Sequence, residues 1–172
     1  LNTVPIPNLV NIPELTTSWK EYERVEIHQI GIVPSDCESE LTFYYAEADG
    51  PNFQTCSTDR KHVLHHYPKG NILTFTAACV PVNSFLAEKL EDDHPTFLAI
   101  DIEGLDFEIM MALDLHRFTS LRSISWEYIH LTTPQLVRVA IRLLRHGFIY
   151  AGDGVDVRGL DLLFERGALT PW

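Results

Sequence analysis

Basic residues are scarce in this chain, cysteines are few, and long apolar runs are missing. Thirteen Lys and Arg stand against 24 Asp and Glu, a formal charge of −11. That balance argues against sequence-independent nucleic-acid binding, which needs clustered cations to neutralise phosphates, and points to neutral or cationic partners. The three cysteines, Cys37, Cys56 and Cys79, form no Cys-x-x-Cys pair and are too few for a disulfide scaffold. Reduced thiols are the default reading, with one Cys37–Cys56 bridge left open. No stretch is long enough to span a membrane and no basic-then-apolar signal opens the chain, so the cytoplasm is the favoured compartment. The first residue is Leu1, not Met, which suggests a trimmed, processed or partial chain. Internal repeats and low-complexity tracts are absent as well. What is present, 45% apolar residues in 172, suffices for one globular domain with a real core and is short for two.

The organising stretch is Thr96 to Leu115. Phe97-Leu-Ala-Ile100 is an unbroken apolar run that suits a strand buried on both faces. Phe107, Met110, Met111 and Leu115 then recur at helical spacing, so a helix begins near Leu105. Between them lies Asp101-Ile-Glu-Gly104. Acids at a strand end followed by a glycine turn into a helix stand at the carboxyl edge of a sheet, where open α/β folds bind ligands.

Around this centre, residues 1–24 read as a Pro-rich extended arm and a short helix over Thr16 to Tyr22. Val25 to Val33 and Glu40 to Ala46 read as strands, Asp49 to Tyr67 as irregular, and Ile72 to Val80 as a strand stopped by Pro81. A helix capped by Asn83 or Ser84 runs to about Leu90. After the central strand and helix comes a strand over Leu121 to Ile129. The next helix has Thr132 or Thr133 as cap, Pro134 in its first turn, Gly147 past its end, and an inner stripe of Leu136, Val137, Ala140, Ile141 and Leu144. Phe148 to Ala151 and Leu160 to Glu165 close the chain; only a Gly- and Asp-rich loop joins them, so they should pair antiparallel. Strands alternating with helices predict an α/β domain over residues 25–172, with a mostly parallel sheet and helices on both faces.

Leu98-Ala-Ile-Asp-Ile-Glu-Gly-Leu-Asp106 resembles the Leu-Lys-Ile-Asp-Val-Glu-Gly-Ala-Glu signature of FkbM-family methyltransferases, with Ala99 in place of lysine and Asp106 in place of glutamate. Val82-Asn-Ser-Phe-Leu86, Trp126-Glu-Tyr-Ile-His130, Arg145-His-Gly-Phe148 and Leu160-Asp-Leu-Leu-Phe164 resemble further pieces of that family, in the right order, over roughly Val25 to Arg166. The resemblance implies a Rossmann-like methyltransferase-type fold with an antiparallel final strand, S-adenosylmethionine as cofactor, and methyl transfer to the hydroxyl of a small-molecule substrate. The family's glycine-rich cofactor turn after a first strand has no counterpart here, since no glycine precedes Gly31. The first strand and helix are therefore expected to be missing. Two functions follow: a methyltransferase or a fragment of one, and a non-catalytic module that keeps the sheet without the cofactor. A homo-oligomer, or a partner chain completing the sheet, is expected in either case.

Candidate catalytic residues are Asp101 and Glu103, then Glu127 and His130 at the next strand's end. Together they give three carboxylates and an imidazole, enough for a general base or a divalent metal. The structural alternative is that Asp101 only caps the following helix. His62, His65 and His66 have helix-compatible spacing but lack the Glu of zinc proteases, so they read as a solvated face. Arg138, Arg142 and Arg145 read as the solvated side of their helix. Gly152-Asp-Gly154 mimics a phosphate loop with no helix pattern after it.

Overall fold

A computed structural model describes residues 2–5, 25–28, 30–35, 39–52, 55–90, 94–102, 105–155 and 158–167. The expected helix over Thr16 to Tyr22 lies outside them, as do Glu103, Gly104 and Cys37, and with Cys37 the Cys37–Cys56 pairing. The chain divides into two compact units, Leu1–Phe85 and Leu86–Trp172.

In the first unit, β1 (Asn2–Pro5) pairs in parallel with β2 (Val25–His28). The stretch expected as one strand from Val25 to Val33 is two. Ile30 N–H bonds His28 O two residues back, and β3 (Gly31–Val33) then joins another sheet. That sheet has the order β3-β5-β4, with β4 spanning Glu40–Ala46 and β5 spanning Ile72–Pro81. β5 pairs in parallel with β3 and antiparallel with β4, where the registered pair Phe43 and Phe75 stacks at 5.3 Å. The segment expected to be irregular holds a 3₁₀ turn, Glu47–Asn52, and helix α1, Arg60–His66. Asp59 caps α1 by accepting from Lys61 N–H at 2.8 Å, and its only buried residue is Val63, too little to leave a periodic signal. Asp49 ties the region together: it accepts from Thr55 N–H, Thr55 Oγ1 and Tyr67 Oη. Helix α2, Val82–Lys89, follows β5.

In the second unit, β6 (Thr96–Ile100), β7 (Leu121–Glu127), β8 (Phe148–Asp153) and β9 (Asp161–Arg166) form one sheet in the order β6-β7-β9-β8. β6 and β7 are parallel; β9 runs antiparallel to both β7 and β8. The antiparallel last strand is as expected, but it lies between its neighbours, so this sheet is mixed and not mostly parallel.

One face carries Ile100, Ile124, Trp126, Phe148 and Phe164, all buried, as are Ile109, Met110, Val139 and Leu143 from helices α3 (Asp106–Ala112) and α4 (Thr133–Arg145). Arg166, on the same face, reaches the carbonyls of Leu115, Phe118 and Thr119 after α3. The opposite face holds Phe97 and Ile149, 49% and 56% exposed. The expectation of a β6 buried on both faces therefore fails.

Helix α4 has the predicted boundaries. Thr132 and Gln135 form a capping box, Pro134 sits in the first turn, and Gly147 follows the end at φ +81°, a conformation glycine adopts without strain. Its phase is different. Val139 and Leu143 are the buried residues, whereas Val137, Ile141 and Leu144 are 48%, 44% and 54% exposed. Arg138, though exposed, lies over the Phe107 ring at 5.3 Å, and Arg142 Nη2 donates to Leu113 O, so Arg142 turns to the end of α3 while Arg138 and Arg145 stay on the solvated side. A guanidinium can satisfy the carbonyls that end a helix, and an apolar side chain cannot. No helix among the described residues is long and apolar enough to cross a membrane.

Candidate functional site

Glu127 is the last residue of β7 and is 6% exposed. The chain turns immediately after it, with Leu131 N–H bonding Tyr128 O, and this brings His130 back over the strand end. His130 Nε2 stands 3.6 Å from Glu127 Oε2, an ion-pair distance longer than a hydrogen bond. His130 then lines an open cleft of about 50 Å³ with Leu131 and Gln135 on its own side and Asp106, Phe107 and Glu108, the first turn of α3, on the other. The cleft thus lies where two parallel strands end and two helices begin, the place the sequence pattern indicated.

Asp101 follows the last residue of β6, at the same sheet edge as Glu127, because Ile100 pairs with Trp126. It is exposed and does not line the cleft. Glu103 falls outside the described residues. Of the four residues singled out in the sequence, the structure joins Glu127 and His130.

Two further acids belong to this edge. Asp106 is almost fully buried, and its Oδ1 accepts the Ile102 N–H at 3.2 Å, closing the connection from β6 to α3. Asp161 opens β9 directly opposite Glu127 in register, is also buried, and accepts from Ser125 Oγ at 3.1 Å. Ser125 Oγ in turn accepts from Val155 N–H at 3.2 Å, and Gly154 N–H bonds Asp161 O. Gly154 packs so closely that a Cβ there would stand 2.1 Å from Ser125 Oγ and 2.5 Å from Asp161 Cβ. The sequence signal for Asp161 was an acid placed directly before the apolar strand Leu162-Leu-Phe164. It is legible only once the register with Glu127 is known.

Among the described residues, no three His, Cys, Asp or Glu side chains converge as metal ligands, so the divalent ion finds no support there. His65 and His66 are exposed on α1, in line with a solvated face. A nucleoside cofactor also lacks a cradle among these residues. The described glycines with positive φ are Gly147, Gly152 and Gly159, none of them between a parallel strand and a helix, and the cleft, of about 50 Å³, is far smaller than the roughly 300–1,000 Å³ of ordinary ligand pockets.

The profile of the methyltransferase FkbM domain matches residues 4–150. It covers Asp101 to His130 and stops before Asp161. Neither curated proteins nor solved structures gave a match.

Proposed function

Since the chain belongs to the methyltransferase FkbM domain family, we propose that it takes part in methyl transfer from S-adenosylmethionine to the hydroxyl of a small molecule, and that the described residues supply the acceptor side of that reaction. The observation that carries this is the His130–Glu127 pair at the mouth of the cleft. A hydroxyl is a poor nucleophile until its proton leaves. In this reading the acceptor's oxygen loses its proton to the His130 imidazole, and the carboxylate of Glu127, held in the strand end with little solvent around it, stabilises the imidazolium that forms. Phe107 and Leu131 give the acceptor's carbon skeleton an apolar wall. Asp101, at the same sheet edge, orients the acceptor from outside the cleft.

The second reading, a module that retains the sheet without catalysis, is favoured by one feature, the lack of any glycine before Gly31. One experiment separates the two. The full chain is given tritium-labelled S-adenosylmethionine at millimolar concentration with a panel of sugars and phenols, and label in the acceptor is counted for the wild type, His130→Gln and Glu127→Gln. Catalysis through this pair requires transfer by the wild type and a loss of about 10²–10⁴-fold in His130→Gln. Transfer that survives both substitutions would remove the pair from the mechanism, and no transfer by the wild type would favour the module.

A further inference from the structure

Among the described residues, the end of the second unit away from the cleft gathers several cationic side chains. His116 and His146 meet there with ring centroids 4.3 Å apart at 75°, an edge-to-face contact. His116 stands on residues 113–120, which join α3 to β7; His146 caps the C-terminus of α4. Residues 113–120 fold mostly on themselves: Arg117 N–H and Phe118 N–H both bond Asp114 O, and Arg117 N–H also bonds Asp114 Oδ1. The rest of the unit holds them by guanidinium bonds, from Arg142 to Leu113 O and from Arg166 to the carbonyls of Leu115, Phe118 and Thr119, and by the Thr96 N–H of β6, which donates to Ser120 O at 2.8 Å. Beneath lie the buried side chains of Leu113, Leu115 and Phe118.

We propose that residues 113–120 are an acid-loosened strap, seated at neutral pH by these bonds together with the contact between His116 and His146, and loosened when both rings carry a proton. Neutral imidazoles attract edge to face, whereas two imidazolium ions at this separation repel. The surroundings add to the repulsion. Arg142 from α4 and Arg166 from β9 face His146, Arg122 of β7 faces Arg166, and Arg117 lies over the Phe118 ring; among the described residues, Asp114 is the anion that faces His146. Burial first, then His116, Arg142 and Arg166, depress the pKa of His146, and Asp114 opposes them. A histidine with a depressed folded-state pKa contributes stability that is fully present above its ordinary value of 6.5 and is lost as pH falls through the folded-state value. The window for loosening is therefore mildly acidic.

Hydrogen exchange on the full chain tests this, with rates corrected for the intrinsic effect of pH. The readout is the protection of residues 113–121 relative to the buried turn of α4 around Val139 and Leu143, at pH 7.5 and pH 5.0. In the wild type this ratio falls several-fold. His116→Gln and His116→Phe, both at an exposed position, keep the ratio constant because neither can add the second charge. A wild-type ratio that stays constant, or a fall that persists in either variant, would overturn the strap.

Discussion

Glu127 and His130 were legible in the sequence because the first closes an apolar strand and the second follows it within one turn, so local chain geometry alone brings them together. Asp106 and Asp161 were not. Burial of an acid depends on what closes over it, here the first turn of α3 and the link from Gly154 to Asp161. The four acids should accordingly respond differently to loss of charge. Asp101→Asn, at an exposed position, is expected to leave the urea midpoint within the equivalent of about 1 kcal/mol while lowering methyl transfer. Asp161→Ala leaves the Ser125 hydroxyl buried without its acceptor, a change expected to cost about 1–3 kcal/mol in the same titration. If Asp101→Asn were the more destabilising of the two, Asp101 would be a structural cap and its assignment to the acceptor would fall.

Helix α4 illustrates how much an element discloses before it is packed. Its boundaries follow from local chemistry: Thr132 and Gln135 reciprocate at one end, Pro134 fits the first turn, and Gly147 accepts a positive φ at the other. Its phase does not follow, because the apolar stripe through Val137, Ile141 and Leu144 competes with guanidiniums that have carbonyl and aromatic partners on α3. Two neighbouring leucines decide the matter. Leu143→Ala is expected to cost about 2–5 kcal/mol as a cavity in the core, and Leu144→Ala no more than about 0.5 kcal/mol. The reverse order in denaturant unfolding would restore the phase suggested by the stripe. The sheet of the second unit was likewise half legible. That β8 and β9 run antiparallel follows from the short loop between them, but the insertion of β9 beside β7 is a long-range choice that no local pattern encodes. At Gly154 the constraint is steric: Gly154→Ala must push apart Ser125 and Asp161, with an expected loss of about 1–3 kcal/mol visible as a lower Tm.

Across the whole chain, family membership and the site lead to one division of labour. Residues 4–150 match the methyltransferase FkbM domain, and the edge where β6 and β7 end brings together Glu127, His130 and the cleft that receives the acceptor in the proposed function. Among the described residues the cofactor side has no such support: no glycine precedes Gly31 in the sequence, and the described glycines at positive φ stand at the end of α4, in β8 and in the loop before β9. The net charge of −11 does not oppose a cationic sulfonium ligand, so weak binding would reflect the absence of a cradle and not repulsion. The most direct measurement is calorimetric titration of the full chain with S-adenosylmethionine. An acceptor-side assignment predicts a Kd no better than about 1 mM, worth roughly 4 kcal/mol. A saturating micromolar isotherm would contradict it and return the cofactor site to this chain.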